Sequence, residues 1–456
     1  MTQITTTTNE TKEFFQGILI IGIPVIIQNL INSLVNMTAV FMVGSLGEVA
    51  ITSTSLGNSW FFVYILLCGG ITAAGSIFIS QHWGNKEIDK VHQYMGIMII
   101  GVAILAAIMG TCSILFSDTI IRIYSSDPSV IKIGASYIRI IGYSYFFTAF
   151  TNVFVATLRS TQIAFVPMIG TILSLLCNLL LNYCLIFGNV GMPRLGVNGA
   201  AIATVIARII EFLFIVGYTY SKKLAVAVHP KRFFHIEYQT VKQYFRYGSF
   251  IILGEAIYGI GNSIYNIAYK YTGTESQAAL QIVNSIKSMA LVLSIGVGNS
   301  ASVIIGNLLG QNQLEKAKRF CKKYLIFTPV VAAAVAIILV LFAPMILHMF
   351  QISQSSQSYA QKMLYILAFE LPFRAINFTI IVGILRAGGD STYCFKANFC
   401  GTWLFGLPMA FLGAVVLKAP VYIVFLMVTA DEIGKFFICF PRTIKYKWMR
   451  NLTQNI

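Results

Sequence analysis

Charged residues are scarce in this chain of 456 residues. Asp, Glu, Lys and Arg make up 11% of it, against roughly 25% in an ordinary globular protein. Hydrophobic residues make up 57%, and the mean hydropathy is +0.77. So few charges cannot solvate the surface of a soluble fold of this size, and so apolar a chain does not stay disordered. The lipid bilayer is therefore the predicted solvent.

Cysteine and histidine are too few and too dispersed for a metal site or a disulfide framework. The eight cysteines lie mostly inside apolar runs without a Cys-x-x-Cys spacing, and the five histidines are scattered. The chain also lacks a P-loop, a His-x-x-x-His pair and a Gly-x-Ser-x-Gly motif. These absences argue against an ATP-driven pump and a membrane-embedded enzyme. They predict no cofactor, no metal and no catalytic residue.

Apolar stretches long enough to cross a bilayer occur twelve times, since a transmembrane helix needs about 20 residues. They cover residues 15–43, 51–80, 94–116, 130–158, 165–187, 197–220, 247–271, 277–307, 323–348, 357–385, 392–416 and 419–440. With the N-terminus inside, the inner segments hold 21 basic residues and the outer loops hold 4. The apolar stretches predict an all-α, multi-pass protein of the cell membrane. The bias of basic residues predicts that both termini lie in the cytoplasm.

The net charge of +16 comes from basic clusters between the apolar runs, such as Lys316-Ala-Lys318-Arg319. Clusters in this position are typical of cytoplasmic loops beside anionic lipid headgroups. No basic stripe is interleaved with aromatic residues in a polar domain, so nucleic acid is not an expected partner. The expected partners are the bilayer and small organic molecules, and the chain is expected to act as a monomer.

The chain also repeats itself. A polar linker, residues 221–246, separates a first lobe at 14–220 from a second lobe at 247–440, with tails at 1–13 and 441–456. Placing position i on i+226 pairs Asn58 with Asn284 and Lys90 with Lys316, and placing i on i+227 pairs Leu158-Arg159 with Leu385-Arg386. Because each half has an even number of spans, the halves are parallel repeats, an arrangement typical of transporters that work by alternating access.

Acidic residues inside the spans require an explanation, because each costs at least about 2.5 kcal/mol to insert. Most have a basic residue three or four positions away, on the same helix face. These predicted local pairs involve Arg208 with Glu211, Glu370 with Arg374, and Asp431 and Glu432 with Lys435. They either neutralise one another as structural pairs or take part in transport.

Glu255 differs because its neighbours at three and four residues are Ile251, Ile252, Tyr258 and Gly259. A carboxylate without a local cation is expected to exchange protons near neutral pH, which makes Glu255 the leading candidate for ion coupling. Lys287 in the next span is the candidate cation from another helix. The alternative is a neutral acid that is hydrogen-bonded to the backbone.

Amide side chains form a second candidate site in the first lobe. Asn178 and Asn182 are four residues apart in one span, and Gln28, Asn32 and Asn36 repeat every four residues in the first span. Such stripes either line a wet cavity and coordinate a cation, or join helices by hydrogen bonds. Among the aromatic residues, the candidates for contact with an organic substrate are Trp60, Tyr258 and Phe373.

Four motifs together resemble the multidrug and toxic compound extrusion (MATE) family of bacterial efflux transporters. They are Asn178-Leu-Leu-Leu-Asn182-Tyr-Cys-Leu-Ile-Phe-Gly188, Gly196-Val-Asn-Gly-Ala-Ala-Ile-Ala-Thr204, Leu385-Arg-Ala-Gly-Gly-Asp390, and Gly254-Glu255 followed by Gly273-Thr-Glu-Ser-Gln-Ala-Ala279. The resemblance extends from about Phe14 to Trp448. It implies a V-shaped pair of six-helix lobes that exports organic, often cationic compounds against inward flow of H+ or Na+.

The resemblance also implies coupling acids on the first and seventh helices. Glu255 matches the seventh-helix Glu, and Asn178 matches the fifth-helix Asn. The first-helix Asp-Thr of many members is missing, because this chain reads Ala39-Val40 before Val43-Gly44, and Asn182 stands where some members have an acid. These departures shift the predicted coupling to the second lobe. The alternative function, a lipid-linked saccharide flippase of the same superfamily, would require a strongly cationic cavity.

Overall fold

The structure is a computed structural model that describes residues 2–229, 232–233, 235–348 and 353–454. Within these ranges, the side chains of residues 2–9, 36–37, 40, 274–275 and 277–278 are not among those described. The described chain is almost entirely helical, as expected where the solvent is lipid, because a helix satisfies its backbone hydrogen bonds within one segment. This confirms the predicted all-α fold.

The helices follow one another with short connections. Up to the linker they are Thr2–Gly17, Ile18–Gly22 (a π-helical turn), Ile23–Gly44, Glu48–Gly84, Ile88–Leu115, Ser117–Tyr124, Pro128–Gly142, Ser144–Ser160, Phe165–Phe187 and Val197–Ser221. After it they are Tyr238–Lys270, Thr274–Ala290, Val292–Gly310, Leu314–His348, Gln354–Phe378, Thr379–Leu385 (π), Ser391–Phe399, Cys400–Gly406 (π), Leu407–Phe411, Leu412–Val416 (π), Val421–Val428 and Ala430–Ile444.

Nine continuous helical stretches in the described part of the chain are long and apolar enough to cross a membrane. The pair Pro128–Gly142 and Ser144–Ser160, bent by 48°, adds a tenth. Helix Tyr238–Lys270 and the pair Val421–Val428 and Ala430–Ile444 are not among these ten. The chain is therefore a multi-pass membrane protein, and the number of twelve spans stays a prediction.

Two compact units make up the chain. The second-half unit comprises Met1–Ile26, Ser80–Lys86 and Arg246–Ile456, and the first-half unit comprises Ile27–Ile79 and Glu87–Phe245. The N-terminal helix thus belongs to the unit that holds the second half of the sequence. The lobe ranges 14–220 and 247–440 remain predictions.

Aromatic packing holds the N-terminal helix in the second-half unit. Phe14 is buried, with its ring centroid 4.7 Å from that of Tyr324 and 5.9 Å from that of Phe320. Glu10 accepts two hydrogen bonds from the Arg319 guanidinium, at 2.9 and 2.7 Å. Both contacts join Thr2–Gly17 to helix Leu314–His348, where the apolar and ionic contacts reinforce each other.

Close backbone packing positions the next part of the same unit. A Cβ on Gly296 would lie 2.8 Å from the carbonyl oxygen of Gly22, so the helices cannot admit a side chain at this crossing without losing the contact. Small residues at such crossings allow membrane helices to pack by van der Waals contact where the hydrophobic effect contributes little. Helix Val292–Gly310 is fixed in this way, and its first turns form one wall of the cavity described next.

Candidate functional site

A cavity of about 260 Å³ lies within the second-half unit. Several helices of this unit contribute its charged and polar lining, and apolar residues complete the wall. The lining residues are Gly254, Glu255, Tyr258, Leu291, Ser294, Ile295, Arg374, Asn377, Phe378, Ile381, Val382, Arg386, Asn398, Glu432 and Lys435. A concave apolar site with a few convergent polar groups is the usual form of a small-molecule binding site.

Glu255 forms an ion pair in this cavity. The Arg386 guanidinium donates to Oε1 of Glu255 at 2.8 Å, although the two residues are 131 positions apart in the sequence. The expectation that Lys287 serves Glu255 is therefore wrong, because the cation comes from the Leu385-Arg386 motif instead. Lys287 lies over the Phe425 ring, with Nζ 5.7 Å from the ring centroid. Arg386 reaches the cavity from the position directly after the π-helical turn Thr379–Leu385.

A second charged network adjoins the same cavity, and its members Arg374, Glu432 and Lys435 line it. Arg374 donates to Glu370 through Nε at 2.7 Å and approaches Glu432 at 3.4 Å. Lys435 lies 2.6 Å from Asp431 and 3.6 Å from Glu432. The local pairs expected from helical spacing in this half are thus present, and Glu432 links them into one cluster. In a poorly solvated site, an uncompensated charge is costly, so a carboxylate that contacts two cations helps to neutralise both of them.

Neutral donors complete the network. Asn377 donates to Oε2 of Glu432 at 2.8 Å, and Tyr265 donates to Oδ2 of Asp431 at 3.1 Å. Thr402 adds a longer hydrogen bond to Oδ2 of Asp431, at 3.3 Å. Sequence reasoning missed these three donors, because a lone Asn, Tyr or Thr in an apolar span gives no signal beyond its polarity.

Exposure separates four acids of this half that lie within the spans predicted from the sequence. The side chain of Glu255 is 24% exposed, whereas those of Glu370, Asp431 and Glu432 are 4–7% exposed. Glu255 also has a single cationic partner among the described residues, since its ion pair is with Arg386. It is therefore the acid of the second-half unit that an ion entering the cavity reaches most easily.

The aromatic candidates occupy three different environments. Tyr258 lines the cavity, with Lys435 Nζ 5.8 Å from its ring centroid. Phe373 packs edge-to-face on Phe436 and is not among the residues that line this cavity, so its contact with a substrate stays a prediction. Trp60 lies in the first-half unit, where its indole N–H donates to Ser113 at 2.8 Å.

The first-half unit contains a polar chain of its own. Arg159 donates to Gln28 at 3.0 Å, and Gln28 donates to Thr171 at 2.7 Å. Thr171 in turn donates to Glu211 at 2.9 Å, and Glu211 pairs with Arg208 at 2.7 Å. The expected Arg208–Glu211 pair is present, but it extends through two uncharged side chains to a second arginine.

The amide pair lies in the same unit. Asn182 donates to Asn178 at 2.9 Å, and Asn178 donates to Thr204 at 3.3 Å. Oδ1 of Asn182 is buried without a hydrogen-bond partner among the described residues. Asn32 is half-buried, and the side chain of Asn36 lies outside the described residues.

Both halves of the chain match a known protein family. The MatE family model matches residues 24–184 and again residues 251–412. The chain belongs to the MatE family. The two matches begin at positions 24 and 251, and the same offset, from i to i+227, places Leu158-Arg159 on Leu385-Arg386. Each half of this MATE protein is therefore one copy of the family's repeat, and the predicted family is confirmed.

The similarity to known relatives covers most of this chain and most of each relative. The "Probable multidrug resistance protein YoeA" of Bacillus subtilis is 25% identical over 402 residues, covering 86% of this chain and 85% of that protein. Among solved structures, a MATE transporter in complex with MaL6 has a TM-score of 0.86 at 19% identity, covering 94% and 95% of the two chains. The eukaryotic MATE transporter AtDTX14 has a TM-score of 0.85 at 18% identity, covering 98% of each chain. The MATE fold is thus shared, and MATE proteins form a family of transporters rather than of enzymes.

Proposed function

We propose that this MATE protein is a secondary active antiporter. It exports amphipathic, often cationic organic compounds in exchange for H+ or Na+ by alternating access. The observation that carries the proposal is the position of Glu255. It is more exposed than Glu370, Asp431 and Glu432, it faces the cavity, and it has one cationic partner among the described residues, Arg386. The relative from Bacillus subtilis, whose name refers to multidrug resistance, supports the direction of transport.

Ion coupling in this proposal is a competition for Glu255. In the structure, Arg386 neutralises the carboxylate across 2.8 Å. A proton or a sodium ion that binds the carboxylate takes the place of this guanidinium, which then withdraws from it. Because the two cations exclude each other at one carboxylate, ion binding changes the contacts between the helix that carries Glu255 and the segment that carries Arg386. Differential contacts of this kind are what allow a ligand to shift a conformational equilibrium.

Substrate binding uses the remainder of the same cavity. Leu291, Ile295 and Phe378 form an apolar wall, and Tyr258 presents an exposed ring to the same space. An amphipathic molecule buries its apolar part on this wall, while a cationic group is attracted to the Tyr258 ring and to the carboxylates. A substrate cation and the coupling ion then compete for the same acid, which is the requirement for exchange.

The amide pair of the first-half unit is the second candidate for an ion site. The Oδ1 atom of Asn182 is buried and lacks a hydrogen-bond partner among the described residues, while Asn178 and Thr204 supply further oxygens close by. Amide and hydroxyl oxygens are hard ligands that suit an alkali cation, but they cannot take up a proton near neutral pH. A contribution from this site therefore requires Na+ rather than H+.

The deciding experiment measures efflux of a fluorescent organic cation from proteoliposomes. A pH gradient and a Na+ gradient are imposed separately, so that the two coupling ions are distinguished. Glu255→Gln should abolish gradient-driven efflux while keeping part of the substrate binding, because the amide keeps size and hydrogen bonding but loses the charge. Glu315→Gln is the control, since it makes the same change in an exposed acid of the same unit that does not line the cavity. Efflux that responds to neither gradient would overturn the antiporter proposal.

The proposed location is the cell membrane, with both termini in the cytoplasm and a monomer as the functional unit. The basic clusters support this orientation, because Lys316, Lys318 and Arg319 follow one another at the start of helix Leu314–His348.

A further inference from the structure

A groove of about 730 Å³ opens at one end of the first-half unit. Its lining comes from helices Ser117–Tyr124 and Pro128–Gly142 and from the turn between them. Helix Ile88–Leu115 is one of the nine candidate spans, and Pro128–Gly142 begins the bent one. The segment between these two spans therefore lies where the membrane meets water.

Positive charge dominates this groove. Three basic side chains line it, Arg122, Lys132 and Arg139, against the single carboxylate of Asp118. Arg139 lies 3.3 Å from Asp118, so this pair is internally neutralised. Arg122 and Lys132 are both exposed and supply a net charge of two for an external anion. The hydroxyl groups of Ser125 and Ser126 line the same space and provide donors for anionic oxygens.

Two exposed apolar residues, Phe116 and Ile123, form an apolar rim on the same segment as Arg122 of the cationic groove. Helix Ser117–Tyr124 buries Ile120 and Ile121 against Ile138. That contact fixes the rotation of the helix and leaves Ile123 74% exposed. Phe116, which directly precedes this helix, is 56% exposed. Exposed apolar side chains next to basic ones are typical of short amphipathic helices that lie in the membrane interface.

We propose that this groove binds the headgroup of an anionic phospholipid. The phosphodiester lies between Arg122 and Lys132, and the acyl chains run along Phe116 and Ile123. Charge complementarity selects an anion, while the apolar rim selects a lipid over a free phosphate, because a soluble ion gains nothing from exposed Phe and Ile. The bound lipid covers apolar area that the protein leaves uncovered and fixes the short helix between two spans.

The test titrates the detergent-solubilised full chain with phosphatidylglycerol and with phosphatidylcholine, and counts bound lipid by native mass spectrometry. The wild type should bind phosphatidylglycerol more tightly than phosphatidylcholine. Arg122→Gln with Lys132→Gln should raise its Kd about 25-fold, because each basic residue near an anionic lipid surface contributes roughly a factor of five. Arg194→Gln is the control, since Arg194 is an exposed basic residue of the same unit outside the groove. Equal binding of the two lipids, or unchanged binding by the double variant, would overturn the proposal.

A second experiment distinguishes a site for the whole lipid from a site for phosphate alone. Ile123→Ser should weaken phosphatidylglycerol binding, because it removes the most exposed apolar side chain of the rim. Inorganic phosphate at millimolar concentration should not displace the lipid from the wild type. If phosphate displaces it and Ile123→Ser binds normally, the groove is a phosphate site and the lipid assignment fails. All four substituted residues, including the control Arg194, are exposed, and thermal unfolding of each variant checks that it is folded.

Discussion

Gln28 and Glu255 occupy equivalent positions in the two halves of the chain. Each lies 131 positions before the arginine that donates to it, which is Arg159 for Gln28 and Arg386 for Glu255. Gln28 accepts from Arg159 at 3.0 Å, and Glu255 accepts from Arg386 at 2.8 Å. The repeat thus preserves an arginine and its partner in both units, but the partner is an amide in one and a carboxylate in the other.

The equivalence extends along the two networks. The offset that places Gln28 on Glu255 also places Thr171 on Asn398 and Arg208 on Lys435. In the first-half unit the hydrogen-bonded chain runs through uncharged Gln28 and Thr171 to Glu211. In the second-half unit the carboxylate contacts its arginine directly. Of the two equivalent positions, only the carboxylate can bind an added cation by charge, which supports the assignment of coupling to the second half.

Exchanging the two side chains tests this asymmetry. Gln28→Glu combined with Glu255→Gln should fold, because each arginine keeps a hydrogen-bonding partner. It should remain unable to drive efflux from an ion gradient, since its carboxylate no longer lines the cavity of the second-half unit. Proteoliposome efflux of the double variant is compared with that of each single variant. Recovery of coupled efflux in the double variant would show that either half can carry the coupling acid.

Removing Glu370 should destabilise the protein before it affects transport. Glu370→Gln leaves Arg374 with Glu432 at 3.4 Å as its remaining anion among the described residues. Breaking a buried pair from one side costs roughly 3–5 kcal/mol, and the lower end is expected because Glu432 remains. Thermal unfolding of the solubilised protein measures the loss. Glu315→Gln, which removes the exposed partner of Lys318, should leave the unfolding midpoint unchanged. Equal midpoints for the two variants would contradict the structural role of Glu370.

Crowding the charged cluster without changing its charge should also have a measurable effect. A Cβ on Gly401 would lie 2.5 Å from Cγ of Lys435 and 2.7 Å from Oδ1 of Asp431. Gly401→Ala should therefore displace this ion pair and cost roughly 1–3 kcal/mol, as overpacking usually does. Gly69→Ala is the control, because nothing among the described residues lies within 4 Å of the added Cβ there. The predicted crowding at Gly401 would be wrong if both alanine variants unfolded at the wild-type temperature.

The contact between the linker and helix Ile88–Leu115 should depend on pH. The Lys90 ammonium donates to Glu237 at 2.8 Å, and with Gln93 at 2.9 Å it holds the pKa of Glu237 below its usual value of 4.5. Because folding lowers the pKa of Glu237, the contact stabilises the folded linker at pH values above the usual pKa of 4.5. The contact is lost as the pH falls through the lowered pKa. A spin label at exposed residue 238 should become more mobile only below about pH 4.5.

Glu237→Gln provides the matching control for the linker. The amide cannot pair with Lys90 as an anion, so mobility of the label should already be raised at pH 7 and should change little on acidification. A wild-type label that is equally mobile at pH 7 and pH 3 would contradict the assignment of this contact.

Topology can be tested by labelling single cysteines in a background that lacks the eight native ones. Residues 194 and 222 are both exposed, and the distribution of basic residues predicts that 194 faces outward and 222 inward. A membrane-impermeant thiol reagent should therefore modify a cysteine at residue 194 in intact cells and should reach residue 222 only after lysis. The reverse pattern would invert the predicted orientation.

The sequence alone determined what depends on composition and on contacts within one helix. Scarce charge and long apolar runs predict membrane helices, because the bilayer admits few other structures. A spacing of three or four residues predicts Arg208 with Glu211 and Glu370 with Arg374, because helical periodicity places such residues on one face. The repeat was also readable, since a fixed shift aligns the polar residues of the two halves.

Tertiary structure decided which side chains meet from different helices. Glu255 pairs with Arg386 rather than Lys287, and Phe373 packs on Phe436 outside the cavity that Tyr258 lines. The sequence places each of these residues on or beside a helix. It does not fix how far each helix is rotated about its axis or which neighbour it faces, because those depend on the close packing of many small contacts such as Gly22 on Gly296.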